Sequence, residues 1–132
     1  MENLVNAAMI APPPTPAFWR GRKVFLTGHT GFKGGWLALW LQSLGAEVHG
    51  YALPPDTAPN LFSLARIGER IVGHTLADIR DADTLAKTLR AARPDIVFHL
   101  AAQALVRASY QQPLATFATN ILGTAHLLEA LR

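Results

Sequence analysis

The chain has 132 residues, half of them apolar and 16% charged, which suffices for one domain with a core and excludes a disordered chain. Its net charge of +3, from 12 Lys and Arg against 9 Asp and Glu, is scattered apart from "RGRK" at 20–23, a mildly basic surface useful for an anionic small molecule and not a nucleic-acid footprint. The absence of cysteine excludes disulfides, thiolate metal sites and a Cys nucleophile and fits a reducing, cytoplasmic setting, and no apolar run approaches the length of a membrane span.

The N-terminus, "MENLVNAAMIAPPPTPAFWRGR", carries an early acidic residue and no basic one before Arg20, the reverse of a secretory signal. "APPPTPA" fits neither helix nor central strand. Residues 1–17 are therefore predicted to be a flexible, Pro-rich tail ahead of a domain over 18–132, with Trp19 pinning its end. "KVFLT" (23–27) reads as a short buried strand. From Phe32 to Leu44, apolar residues at 36, 37, 40, 41 and 44 make a helical face that Gly45 terminates, so Trp36 and Trp40 are expected to pack inward.

"AEVHGYAL" (46–53) is a second predicted strand, broken by "PPDTAPN". "LFSLARIGERI" offers a short helix and "RIVGH" a weak third strand. Asp81 is a good N-cap for a helix to about Arg90, with Asp83 on a solvated edge. "PDIVFHL" (94–100) is a fourth strand whose His99 reads as a satisfied structural histidine. Pro113 opens a last helix, "PLATFATNILGTAHLLEALR". Strands alternating with helices predict an α/β fold with a parallel sheet, about the first half of a doubly wound one, and hence a partial domain.

Four glycines fall within "TGHTGFKGGW" (27–36), directly after the first strand. Gly is entropically costly to order, so the cluster needs a reason. Gly28, Gly31 and Gly34 stand where the backbone must turn, let a pyrophosphate approach, and let the helix pack against the strand. A Cβ hinders each task, and the helix N-terminus adds a positive dipole end. These residues predict a dinucleotide site. His29 and Lys33 are either phosphate contacts or solvated loop side chains.

The spacing G-x-x-G-x-x-G resembles that of the short-chain dehydrogenase/reductases, and "TGHTGFKG" resembles their extended branch. "ADIRD" (77–81), "HLAAQ" (99–103) and "TNILGTAHLLEA" (119–130) resemble further motifs of that branch, in the same order. The longer stretches "GHTGFKGGW", "GYALPPDTAPNLF" and "HLAAQALVRASYQQPLATFATNILGT" are similar to the CDP-glucose 4,6-dehydratase subfamily, with one departure at Ala104, where members tend to carry proline.

The resemblance implies a Rossmann-like fold, NAD as cofactor, and CDP-glucose as the sugar-nucleotide partner. It implies oxidation at C4, elimination of water across C5 and C6, and hydride return to C6, giving a 4-keto-6-deoxy sugar. Residue by residue, it implies cofactor contacts from Gly28, Thr30, Gly31, Phe32, Lys33 and Gly34. Asp78 and Ile79 would meet the adenine, Leu100, Ala101, Ala102 and Gln103 the ribose, and Asn120 the nicotinamide end. Arg107, Ser109 and Tyr110 lie where the sugar nucleotide passes in this branch. The last helix corresponds to an oligomer interface, with apolar positions 114, 117, 118, 121, 125 and 128 available for it.

Two features do not follow the pattern. The branch's Tyr-x-x-x-Lys is absent, since Tyr51 is followed four residues on by Pro55 and Tyr110 by Leu114. No catalytic residue is assigned, and this chain alone is expected to be inactive. The acidic residue usual at the end of the second strand is also missing from "VHGYAL"; Asp56 is the nearest carboxylate, beyond two prolines. Two other readings stand beside the dehydratase: a non-catalytic NAD-binding or assembly module, and another extended-branch epimerase or reductase.

Overall fold

The computed structural model describes residues 14–132. The predicted Pro-rich tail falls largely on residues 1–13, outside the described residues. Its last two positions differ from expectation: α1 (Pro16–Trp19) is a helical turn with Pro at its start. Proline is tolerated there because a first-turn N–H has no intrahelical acceptor to lose. Trp19 packs against Phe98, ring centroids 6.3 Å apart, and so pins the entry of the chain onto the sheet.

Four strands, β1 (Lys23–Thr27), β2 (Glu47–Ala52), β3 (Gly73–Leu76) and β4 (Ile96–His99), form one sheet in the order β3-β2-β1-β4. All three pairings are parallel, with Val24 opposite Val48 and Ile96. This is the predicted Rossmann-like α/β arrangement. Side chains alternate across the sheet with period two, so Val24 and Leu26 join one core while Phe25 joins the other. The first core also holds Val48, Leu41 and Ile67; the second holds Tyr51, Leu85, Leu89 and Leu127. Each fully buried Leu, Ile or Phe contributes roughly 1.5–3 kcal/mol of transfer free energy.

Helix α2 (Phe32–Ser43) lies where the sequence puts it, but its buried face does not. Gly34, Gly35, Ala38 and Leu41 are buried, whereas Trp36 and Trp40 are 55% and 52% exposed. On this face the helix meets β1 and the short helices α3 (Leu61–Leu64) and α4 (Ile67–Arg70), and three of its four buried residues are small. At Gly35 a Cβ would already lie 3.0 Å from Leu61 and 3.1 Å from Ile67.

The third strand also starts later than "RIVGH" suggests. The Ile71 amide still donates to Ile67 and closes α4, and pairing with β2 begins at Val72, whose amide donates to Val48. α5 (Ala82–Ala92) begins as predicted, Asp81 Oδ1 accepting from the Thr84 amide at 3.0 Å, and ends at Arg93 in the left-handed region with φ 44°. Asp95 is exposed, and its Oδ2 accepts from the Lys23 amide, tying the starts of β4 and β1 together.

After β4 comes a helix with no sequence counterpart among the predicted elements, α6 (Val106–Gln111), which carries Arg107, Ser109 and Tyr110. α7 (Pro113–Phe117) opens at Pro113 as expected, and a π-helical turn over Ala118–Leu122 joins it to α8 (Gly123–Leu131). Gly123 and Leu127 turn inward, and Leu114, Phe117, Ile121 and Leu128 turn outward. Among the described residues no helix is long and apolar enough to cross a membrane.

Candidate functional site

The C-terminal ends of the strands surround a cavity of about 250 Å³. Parallel sheets place ligands at that edge, outside the strand ends where loops diverge. One wall is the glycine loop. Gly28 has φ +81°, and a Cβ there would come within 2.7 Å of the Leu100 backbone. Gly34 is tighter still, a Cβ falling 2.0 Å from the Gly28 carbonyl oxygen. At Gly31, which lines the cavity, a Cβ would meet only the Gly28 oxygen at 3.4 Å and otherwise stand in the open space. No side chain caps α2 after Gly31, so its first-turn amides keep no side-chain acceptor. This is a backbone cradle suited to an anion.

A second wall comes from the end of β2. The Tyr51 carbonyl accepts from the Gly28 amide at 2.9 Å, and the Tyr51 hydroxyl donates to the Asp78 carbonyl at 2.9 Å. One residue thereby ties the glycine loop to the loop after β3. Burial, with Asp81 and Asp78 nearby, pushes the phenol up to about 12, so it stays protonated. Leu53 to Asp56 continue this wall, and Thr30 Oγ1 donates to the Leu53 carbonyl at 2.8 Å.

Asp78 and Ile79 form the third wall. The Arg80 guanidinium donates to both Asp78 oxygens, at 2.5–3.0 Å, and the Arg80 amide adds another bond at 2.9 Å. These bonds hold the Asp78 carboxyl below its usual range. They also occupy the Asp78 oxygens that would otherwise be free to meet the adenine.

Behind the fourth wall, Leu100 to Ala102, runs a hydrogen-bonded chain. Thr27 Oγ1 accepts from the Leu100 and Ala101 amides, both at 3.1 Å, so its proton goes to His99 Nδ1 at 2.7 Å. His99 Nε2–H then donates to Thr124 Oγ1 at 2.9 Å, and Thr124 donates to the Asn120 carbonyl at 2.7 Å. This network assigns the Nε2–H tautomer and satisfies His99, as expected; burial keeps the ring neutral by lowering its pKa. Asn120 in turn exchanges two bonds with the Gln103 backbone, at 2.8 and 3.0 Å.

Of the residues singled out from sequence, Gly28, Thr30, Gly31, Asp78, Ile79, Leu100, Ala101 and Ala102 meet at the cavity. Five do not. Phe32 is 74% exposed and Lys33 is exposed on the first turn of α2. Gly34 packs on Gly28, and Gln103 and Asn120 are bonded to each other. Arg107 and Tyr110 are exposed, and the Ser109 hydroxyl is spent on the Val106 carbonyl. Tyr51, the two prolines after Leu53, and Thr119 were missed as wall residues. The signal for Tyr51 was its place two residues before the end of the predicted strand 46–53.

His29 fits neither of its expected roles. It is fully buried, beside Phe62 and His74 with ring centroids 5.4 Å away in each case, and neither ring nitrogen has a partner among the described residues. Room for the ring exists because residue 50 is glycine, where a Cβ would fall 2.5 Å from His29 Cγ. Burial first, and His74 second, drive its pKa down to about 4.

The family model described as GDP-mannose 4,6 dehydratase matches residues 25–132. A CDP-glucose 4,6-dehydratase of Salmonella typhimurium is 52% identical over 115 residues, covering 87% of this chain and 32% of that protein. A GDP-mannose 4,6-dehydratase of Sordaria araneosa is 40% identical over 86% of this chain and 20% of its own length. The chain thus spans about a third or less of these relatives. Among solved structures, a UDP-glucose-4-epimerase from Stenotrophomonas maltophila with bound NAD superposes with TM-score 0.72, at 30% identity over 83% of this chain and 33% of that one. A Thermus thermophilus UDP-glucose 4-epimerase in complex with NAD gives 0.66, at 33% identity over 81% of this chain and 32% of that one.

Proposed function

The chain belongs to the GDP-mannose 4,6 dehydratase family, and on that premise we propose that it forms the NAD-binding part of a sugar-nucleotide 4,6-dehydratase acting on CDP-glucose. The observation that carries this reading is the glycine cradle opening onto a cavity walled by the ends of all four strands. The residues present fit a dinucleotide. The open face of Gly31 and the uncapped start of α2 would hold the pyrophosphate. The Ile79 amide, which has no acceptor among the described residues, would face the adenine. Leu100 to Ala102 would line the ribose, and Asn120 acts one step removed, by fixing the Gln103 backbone.

When bound, NAD supplies a hydride acceptor and donor, which is what oxidation at C4 and reduction at C6 of the sugar require. Removing a hydride from C4 and the proton from its hydroxyl leaves a ketone that acidifies the C5 proton, and water then leaves across C5 and C6. CDP-glucose is favoured as substrate by the likeness to the Salmonella protein. The proposal gives this chain orientation of the cofactor and assigns none of its residues to proton transfer. It also includes a homo-oligomer in the cytoplasm, built on the exposed Leu114, Phe117, Ile121 and Leu128 stripe; light scattering that returns only monomer opposes that part.

Titration with NAD or NADH, followed by tryptophan fluorescence and melting temperature, tests the cofactor reading. A saturable change and a raised melting temperature are expected. No response at millimolar ligand overturns it.

A further inference from the structure

In folds of this topology an acidic residue ending the second strand often accepts from the adenosine ribose, and this chain has none there: β2 ends at Tyr51 and Ala52. The structure brings an acidic residue to the same cavity by another route. After Ala52 the chain turns over the glycine loop, held by the Thr30–Leu53 bond, and two consecutive prolines restrict the path that follows. Asp56, the next residue, lines the cavity with Gly28, Gly31 and Asp78.

Three ionisable residues line the cavity: Tyr51, Asp56 and Asp78. Tyr51 spends its proton on the Asp78 carbonyl, and Asp78 is clamped by Arg80. Asp56 alone has neither hydrogen bond nor ion pair among the described residues, and no lysine or arginine lines the cavity. A ribose diol brings hydroxyl donors to such a wall. A ribose 2′-phosphate brings a second negative charge and finds no counterion.

We infer that Asp56 is the ribose-reading residue of this site, accepting from the adenosine 2′-hydroxyl and excluding the 2′-phosphorylated cofactor. The inference rests on the proposed dinucleotide site and deepens it by setting its selectivity. In this chain the acidic residue lies beyond a Pro-Pro spacer, and that spacer delivers it.

Calorimetric titration of the full chain with NAD, NADP and 2′-deoxy-NAD, repeated for Asp56→Ala and Asp56→Asn, tests this directly. Loss of a hydrogen bond to a charged acceptor weakens binding by roughly ten- to a hundredfold. Asp56→Ala should therefore weaken NAD by about that factor, leave 2′-deoxy-NAD unchanged, and strengthen NADP. Asp56→Asn should strengthen NADP as well, because it removes the charge at constant shape. Melting temperatures unchanged by either variant would show that the loop still folds. Wild-type protein that binds NAD, with variants that keep the same NAD to NADP ratio, overturns the role of Asp56 alone. Wild-type protein that binds neither cofactor overturns the dinucleotide site itself.

Discussion

The glycine loop and the loop after β2 face each other across one cavity, yet they are fixed by different means. The glycine loop is held by backbone against backbone: Gly28 lies on Leu100, Gly34 lies on Gly28, and a Cβ at either place would overlap main-chain atoms. The loop after β2 hangs on one side-chain bond, Thr30 to Leu53, and on the stiffness of two prolines. At Gly28 and Gly34 the first wall has no room for a side chain. The second can be redrawn by a few side chains, and there selectivity can change while the anion cradle stays.

The largest expected effect comes from breaking the rigid wall. Gly34→Ala places a Cβ 2.0 Å from the Gly28 oxygen, so the loop must open. It should cost about 3 kcal/mol or more of stability, measured by urea unfolding, and abolish NAD binding.

Next is acid. His29 has its pKa lowered from 6.5 to about 4 by burial. The unfolded chain therefore binds more protons between those values, and stability, full above pH 6.5, falls as pH drops toward 4. His49 and His99 are shifted the same way by burial. The His29 share is on the order of 3 kcal/mol. His29→Leu should flatten the slope of unfolding free energy against pH in this window, and a variant with the wild-type slope would refute the assignment. At neutral pH the same change should be neutral or stabilising, since it removes two buried nitrogens without partners.

Tyr51→Phe probes the tie between the two walls. It leaves the Asp78 carbonyl without its donor, at a cost of about 1–2 kcal/mol, and should loosen the Asp78–Ile79 loop, read as faster amide exchange there. Thr30→Val is the smallest. Its bond to Leu53 is exposed, so about 0.5–1 kcal/mol of stability is at stake. The informative readout is the NAD to NADP ratio, which should narrow as the Asp56 loop is released.

The same contrast explains what the sequence made legible. Strand β1, the glycine loop and the Asp81 cap follow from local chemistry: a short apolar run, residues without a Cβ, and a side chain that bonds the first turn. Trp36 and Trp40 misled because large apolar side chains at helical spacing suggest a core face, whereas the buried face carries Gly34 against the Gly28 backbone, Gly35 against Leu61 and Ile67, and Ala38. "RIVGH" misled because Ile71 is buried as a strand residue is, while its backbone still closes α4. His29 was not legible at all. Its burial depends on Gly50 of the neighbouring strand and on Phe62 and His74, which sequence distance hides. Eight of the thirteen predicted site residues reach the cavity; of the five that miss it, Phe32, Lys33, Gly34 and Asn120 sit in helix turns whose facing no local pattern sets, and Gln103 lies in the loop before α6.

Amide hydrogen exchange of the chain with and without saturating NAD tests the central claim most directly. The account predicts added protection confined to the cavity walls, residues 28–34, 52–56, 77–79 and 100–102, with the outer faces of α5 and α8 unchanged. Protection spread evenly over the chain, or none at millimolar NAD, would contradict it.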